Sequence, residues 1–382
     1  MLTMKVIKFS NLRTLEALLF LGVFFSVFGY IAHIMGTSNM LNTMMNTAYK
    51  LLIDTVLYIM AITVLSGALG SLFIEFGVVR LVEKVLRPLM RPLYNLPGVA
   101  ALGGVITFLS DNPAIISLSK NRNFSRYFKK YQMISFTNFG TAFGMGLVVL
   151  VFMAGRGYVA PAIVGLVGAI VGSIISTRLM QWFTLRAYPS FEFEDATEGN
   201  SEEISLKSEG GIFLRVLNSI LDGGKSGVDL GLSIIPGVLI ISTFVMILTF
   251  GSATSGLFTG AAYEGVGLLP YLANQISVVF DFLFGFQNGE LVAFPITALG
   301  AVGAALGLIP KFQQEGLLDG NAVAVFTAMG MCWSGYLSTH TAMLDSLGYR
   351  PLISKAILAH TIGGFFAGVV AHFTYLLYLV VF

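Results

Sequence analysis

The sequence predicts an all-α polytopic membrane protein built from two inverted repeats, each holding a re-entrant helical hairpin. Three observations predict it. Only 11% of the 382 residues are charged and 55% are hydrophobic, whereas a soluble domain carries about 25% charged residues; several long apolar runs make lipid the solvent. Two of the apolar segments carry a polar tip in their middle. The pattern of segments before an acidic stretch near the centre of the chain recurs after it.

The elements follow in order. Met1 to Arg13 is short and basic, with Lys5, Lys8 and Arg13. The apolar run 15–35 after it exceeds a signal-peptide core and lacks a small-residue cleavage site, so it reads as a retained first helix. Residues 36–50 read as a polar connection and 51–77 as a second span, with Asp54 near its start and Glu75 near its end. In 78–95 the bases Arg80, Lys84, Arg87 and Arg91 are spaced four, three and four. That puts them on one helix face opposite Leu81, Val85, Leu86 and Leu89, as in a helix lying at the interface; Pro88 and Pro92 interrupt it. Segment 97–118 is apolar around Ser110-Asp111-Asn112-Pro113, and 120–130 is basic. Two spans follow at 133–154 and 158–185.

Residues 190–209 hold seven acids and one base and read as a solvated linker. Beyond it come a short amphipathic helix (212–229), a span (230–250), a Gly/Ser/Thr-rich loop (251–267) and a partly apolar helix (268–283). Segment 284–308 is interrupted by Gln287-Asn288-Gly289-Glu290 and by Pro295. A polar connection (310–321) and spans at 322–347 and 352–382 complete the chain. Locally, Phe136-Thr137-Asn138-Phe139-Gly140 recurs as Phe326-Thr327-Ala328-Met329-Gly330. The domain reading is therefore 1–50 as an N-terminal helix and connection, 51–189 as the first unit, 190–211 as an acidic cytoplasmic linker and 212–382 as the second unit.

Charge decides the topology. If 97–118 spanned the membrane, the bases at 80–91 and at 120–130 would lie on opposite sides. Cytoplasmic loops collect Lys and Arg, so a hairpin turning at Ser110 to Pro113 is favoured. With the N-terminus inside and the second broken segment also a hairpin, 19 of the 22 Lys and Arg lie inside, and only Lys50, Arg156 and Lys311 lie outside. The two units then have opposite topology, and hairpins meeting near the midplane are the architecture of secondary transporters.

Unpaired backbone at membrane depth must line protein or a water-filled cavity, which makes the tips the leading site candidates: Ser110, Asp111 and Asn112 in the first, Gln287, Asn288 and Glu290 in the second. Thr137 and Asn138 follow the first hairpin, and Ser334, Ser338 and His340 occupy the partner helix. Asp111, Glu290 and His340 are the candidate coupling groups. Helix–helix packing weighs evenly against a substrate role for the helix hydroxyls, and His360 and His372 read as structural. No metalloprotease helix, nucleophile elbow or phosphate loop is present, so an enzyme is not expected and no cofactor is implied. Met329, Met331, Cys332 and His340 could form a soft metal site, but with 16 Met in the chain core packing is the better reading and no metal site is assigned.

The run Ser110-Asp111-Asn112-Pro113-Ala114-Ile115-Ile116-Ser117-Leu118, with Lys120-Asn121, Phe124, Tyr127-Phe128 and Thr137-Asn138-Phe139-Gly140-Thr141-Ala142-Phe143-Gly144-Met145, resembles the nucleoside recognition, or Gate-domain, membrane proteins. Within that group it is most similar to the YjiH-type bacterial proteins. The group is similar to spore maturation proteins A and B, to the membrane gate of the bacterial ferrous-iron transporter and, distantly, to concentrative nucleoside transporters. The resemblance covers residue 51 to the C-terminus as two Gate units. It implies a bacterial inner-membrane secondary transporter of a small polar organic solute, with nucleosides and nucleobases as candidates. Asp111, Asn112, Asn288 and Glu290 would hold the solute, with Thr137, Asn138, Ser334 and Ser338 behind them. Expected partners are the solute, Na+ or H+ as coupling ion, membrane lipid and further copies of the chain; nucleic acid is not expected at a net charge of +2. The alternatives are an inorganic ion or metal permease and a non-transporting scaffold or assembly factor.

Overall fold

The computed structural model describes residues 2–193, 210–252 and 256–382, and every regular element among them is helical. Most of the acidic linker lies outside the described residues. Its first residues do not behave as a free linker: Pro189–Phe193 forms a 3-10 turn. Phe191 packs on Tyr188 and Tyr349, and the Lys129 ammonium donates to the Glu192 carbonyl at 2.9 Å.

Among the described residues six helical stretches are long and apolar enough to cross a membrane: Arg13–Met35, Thr37–Glu75, Lys130–Gly155, Val159–Ala187, Ile212–Thr249 and Arg350–Val381. The protein is a multi-pass membrane protein. α1 (Leu2–Met35) turns at Gly36 into α2 (Thr37–Lys50), which continues through a π turn into α3 (Leu57–Glu75). The connection expected at 36–50 is thus helical. Its polar side chains tether a loop of the second half: Asn39 and Asn46 donate to the Phe258 and Gly260 carbonyls, and Thr47 accepts from the Tyr263 amide.

The amphipathic helix is α4 (Val78–Leu89), followed by a π turn to Tyr94. α5 (Ala100–Leu109) and α6 (Pro113–Lys120) come next. Gly103 on α5 lies against the Ile115 side chain on α6. In a continuous helix residues twelve apart would be separated by about 18 Å, so the chain folds back here as a hairpin. Rings hold it: Phe136 packs on Phe124, Phe128 and Phe139, and Gly103 and Gly104 admit the Phe136 and Phe139 rings to the α5 backbone. After the short α7 (Arg122–Ser125), α8 (Lys130–Thr141) and α9 (Gly146–Gly155) form one span broken at 142–145, and α10 (Val159–Ala187) returns.

In the second half α11 (Ile212–Ser233), α12 (Ile235–Gly237) and α13 (Thr243–Thr249) form one long, nearly continuous span. The separate approach helix expected at 212–229 is therefore part of a membrane helix, because its glycines dock it on α3. Gly223 faces Gly67, Gly227 faces Thr63 and Gly231 faces Met60, a small-residue seam that lets two backbones touch. Arg215 pairs with Glu75 at 2.6 Å where the antiparallel pair ends.

α14 (Leu268–Asn274) and α15 (Ser277–Phe284) replace the single helix expected there. A 3-10 turn (Gly289–Val292) leads into α16 (Ala293–Gly300); α17 (Val302–Leu306) packs back on it and α18 (Ile309–Gln314) follows. α19 (Gly320–Cys332) and α20 (Tyr336–Ser346) are separated by a break at 333–335, and α21 (Ile353–Val381) closes the chain. The stretch 322–347, expected as a span, is absent from the six apolar candidates. Almost all of α19 is buried inside the protein, so it needs no lipid-facing surface and tolerates the polar residues that follow it.

Between residues 77 and 146 the first half corresponds to the second at an offset of 190 residues. α8 and α19 begin at Lys130 and Gly320, and α9 and α20 at Gly146 and Tyr336. Left-handed backbone recurs at the same spacing: Gly77 and Gly267, Asn95 and Gly285, Met145 and Gly335. Phe326, the partner of Phe136, is likewise a hub, stacked on Phe294 at 4.2 Å and near Phe286 and Phe312. Lys50, Arg156 and Lys311 gather at one end: Lys50 and Lys311 each sit 5.7 Å from the Tyr263 ring, and Arg156 donates to Gln313 at 3.4 Å.

Candidate functional site

The first hairpin turns because α5 stops at Ser110, whose backbone leaves the helical region (φ −122, ψ −108), and α6 starts on Pro113. Proline fits a first helical position, where its missing N–H would have no helical partner. Between these two residues stand the polar groups. The Ser110 hydroxyl donates back to the Ile106 carbonyl at 2.6 Å. Asp111 keeps one buried carboxylate oxygen with no hydrogen-bond partner among the described residues.

Asn112 is buried, and its amide donates to the Ser334 carbonyl in the break of α19–α20. Its own carbonyl oxygen is unpartnered among the described residues. Two glycines make room for it. A Cβ at Gly144, in the α8–α9 break, would lie 2.2 Å from the Asn112 oxygen, and one at Gly335 would lie 3.1 Å from its nitrogen. The first turn therefore docks between the two broken helices. Broken helices expose backbone groups that lipid cannot satisfy.

Asp111 and Ser110 open onto a cavity of about 520 Å³ between the turn, α3 and α11. Asp222 and Asp229 on α11 also line it, together with Ser66, Ser71 and Ser226. Three carboxylates and several hydroxyls line it with no Lys or Arg among the lining residues. The rest of the wall is hydrocarbon and glycine, so these carboxylates and hydroxyls are the polar points on it, where a ligand's donors or positive charge would be met. The sequence reading missed Asp222, Asp229 and the α3 serines. The signal existed: Asp222, Ser226, Asp229 and Ser233 are spaced four, three and four, one polar stripe beside the glycine seam.

Thr137, Asn138, Ser334 and His340 are buried. Asn138 donates to the Ser176 hydroxyl and the Ala356 carbonyl, each at 3.0 Å. Ser176 lies 2.8 Å from His360 Nδ1, and His360 Nε2 contacts the Cys332 carbonyl. A carbonyl only accepts, so the proton sits on Nε2 and Nδ1 accepts from Ser176. His360 is thus a satisfied structural histidine. His372 likewise bonds Asn321 at 2.8 Å. His340 differs: Nδ1 donates to the Tyr336 carbonyl, and Nε2 is buried without a partner among the described residues. Its ring centroid is 4.8 Å from that of His360. The Thr137 and Thr327 hydroxyls and the Asn138 carbonyl oxygen also have no partner among the described residues. Ser338 is exposed and donates to the Gly335 carbonyl at 2.8 Å, one turn from the Asn112 contact. Cys332 is buried, its thiol 3.6 Å from the Ala169 carbonyl.

Gln287, Asn288 and Glu290 are not at the second turn. That turn is Gly300-Ala301-Val302, where Ala301 is extended (φ −167, ψ 128). Gln287 and Asn288 are exposed at the start of the segment, Gln287 donates to Asp281, and Gly289 packs on α14. The polar tetrad is a false turn signal, and Pro295 does not interrupt the segment. It sits in the first turn of α16, where proline is tolerated, and the real break is apolar.

Residues 24–157 match the Gate family, whose description is nucleoside recognition. Over 229 residues the chain is 24% identical to an uncharacterized protein of Alkalihalophilus pseudofirmus, a match spanning 54% of this chain and 47% of that protein. The fold of the present chain is similar to solved structures of CNTnw, a concentrative nucleoside transporter. A variant in an outward-facing state superposes with a TM-score of 0.54 at 14% identity, covering 84% of this chain and 75% of the other. A variant in an intermediate state gives 0.51 at 13% identity, covering 82% and 75%.

Proposed function

We propose that this membrane protein, with its Gate segment over residues 24–157 and the fold of concentrative nucleoside transporters, is a secondary transporter of a small polar organic solute, with nucleosides and nucleobases as the first candidates. One observation carries the proposal: a carboxylate-lined cavity of about 520 Å³ at the turn of a broken membrane segment. A nucleoside offers ribose hydroxyls and, on some bases, amino groups, the donors that Asp111, Asp222 and Asp229 would accept. A charged Asp111 at membrane depth needs compensation by a cation, a proton or ligand donors, which is where coupling to Na+ or H+ enters. His340, buried with one free nitrogen, is the candidate for a proton-coupled cycle.

In this reading the units 51–189 and 212–382 are inverted, the hairpins enter from opposite sides, and the end gathering Lys50, Arg156 and Lys311 faces outward. The N-terminus and the acidic linker then lie in the cytoplasm of a bacterial inner membrane. The offset of 190 residues between positions 77–146 and their counterparts supports the repetition, and the charge asymmetry supports the orientation. The test is uptake of labelled uridine, adenosine and adenine into proteoliposomes under imposed Na+ or H+ gradients, paired with thermal shift of the purified protein. Saturable, gradient-dependent uptake of one of these solutes is expected. A correctly folded protein that neither moves nor is stabilised by any nucleoside or base would overturn the substrate class.

A further inference from the structure

We propose that a second cavity, beneath the amphipathic helix α4, holds an acyl chain of an anionic phospholipid from the surrounding bilayer. The cavity measures about 330 Å³ and is separate from the carboxylate-lined one. Its roof is the row Val82, Leu86, Leu89 and Leu93 on α4 and the turn after it; its floor includes Val105 and Phe108 of the first hairpin arm. It is built from apolar side chains and one tyrosine, whose hydroxyl is turned to Ser173 at 2.8 Å.

Helix geometry says what faces what. The roof residues repeat at intervals of four, three and four, and so do Arg80, Lys84, Arg87 and Arg91, displaced by two positions. At 3.6 residues per turn two positions are about 200°, so the basic row lies opposite the cavity. A third row, Leu81 and Val85, is 64% and 71% exposed and flanks the roof. A helix with an exposed apolar row, an apolar cavity beside it and bases opposite lies in the headgroup plane, apolar side down. The cavity is then at the depth of the acyl chains. Lys84 and Arg91 are exposed at headgroup level, where each base adds attraction to anionic lipid. Leu89 and Leu93, at 44% and 38% exposed, form the rim through which a chain enters from the bilayer.

The site has a mechanical consequence. Its floor is α5, and Leu109 at the end of α5 and Ser110 just after it line the carboxylate-lined cavity. A lipid chain wedged under α4 braces the hairpin arm whose turn carries Asp111. The inference does not depend on the identity of the transported solute.

The experiment is native mass spectrometry of the full chain released from nanodiscs containing phosphatidylglycerol or phosphatidylcholine. The wild type is expected to retain one phosphatidylglycerol at activation energies that strip phosphatidylcholine. Val105→Phe, which fills the floor with apolar volume, should lose the retained lipid while keeping its helical circular dichroism. Should that variant fail to fold, Leu86→Phe fills the roof instead and carries the same expectation. Lys84→Gln with Arg91→Gln should retain both lipids equally. Leu65→Phe, at a lipid-exposed position remote from the cavity, should behave as wild type. Undiminished lipid retention in a folded cavity-filled variant would overturn the site, and equal retention of the two lipids by the wild type would overturn the anionic headgroup.

Discussion

The two hairpins occupy matching places in the two halves of the chain, yet one turns on Ser110-Asp111-Asn112 and the other on Gly300-Ala301-Val302. Both break a helix at membrane depth and both are braced by a phenylalanine hub, Phe136 or Phe326. They differ in what fills the turn. In the second half the turn is packed with hydrocarbon: Gly300 and Gly303 lie against Ile241 and Ile234, and the freed Ala304 carbonyl accepts from the Ser242 hydroxyl at 2.8 Å. In the first half the turn places polar groups into a cavity and into the opposing broken helix, and leaves two oxygens unpartnered. Unpaired buried polar atoms cost about 1–3 kcal/mol each, a cost that persists where a ligand or ion will meet them. The comparison supports the first turn, and not the second, as the place of the proposed solute site.

The largest effect is expected from Asp111→Asn, which keeps size and removes charge. It should abolish uptake or uncouple it from the ion gradient while membrane expression stays normal; wild-type transport with unchanged ion dependence would remove Asp111 from the mechanism. Ala301→Ser, the matching change in the second turn, should leave uptake within about twofold of wild type. Equal loss in both variants would erase the asymmetry.

Next is Gly144→Val. The Asn112 oxygen would lie 2.2 Å from the new Cβ, so the turn must shift, with overpacking of about 1–3 kcal/mol. A lowered melting temperature together with a large loss of uptake is expected, and an unchanged melting temperature would show that the turn docks elsewhere.

Asn138→Ala should lower thermal stability by about 1–3 kcal/mol, because Ser176 and the Ala356 carbonyl lose a buried donor. The corresponding position in the second half is Ala328, already buried and without a polar group, so Ala328→Gly should cost less, about 1 kcal/mol. Comparing the two melting curves tests whether position 138 carries a polar contact that its second-half counterpart lacks.

The smallest effect belongs to Glu290→Gln. Glu290 is half-buried at the start of its segment and should alter uptake less than about twofold; a loss as deep as that of Asp111→Asn would return Glu290 to the binding site. Orientation is tested separately. Single cysteines near Asn123 and Thr197 should resist an impermeant thiol reagent applied outside intact cells, and one near Gln314 should react. Labelling near Asn123 would place the first hairpin on the wrong side and end the inverted arrangement.

Much of this was legible in the residues. Low charge and long apolar runs gave a helical membrane protein, because uninterrupted apolar runs of about 20 residues fit a spanning helix and not the short alternating strands of a barrel. Ser110-Asp111-Asn112-Pro113 marked the first turn, because a carboxylate, an amide and a proline cannot sit quietly inside one apolar span. The basic row on α4 was readable from its spacing. The second turn was not, because it is made by the backbone of Gly300 and Ala301 among apolar neighbours, while the polar tetrad at 287–290 offered a false signal.

What the sequence determined by itself was the helical membrane class, the first turn and the local repeat around Phe136 and Phe326, all of which depend on local composition and period. What only the tertiary structure decided was which polar residues meet. Asp222 and Asp229 share a cavity with Asp111 because Gly223 and Gly227 bring α11 onto α3. Asn112 reaches Ser334 across 222 residues because Gly144 and Gly335 leave it room. Contacts of that kind depend on close backbone approach between distant segments, and a glycine's missing side chain carries no mark in the sequence of which partner it admits.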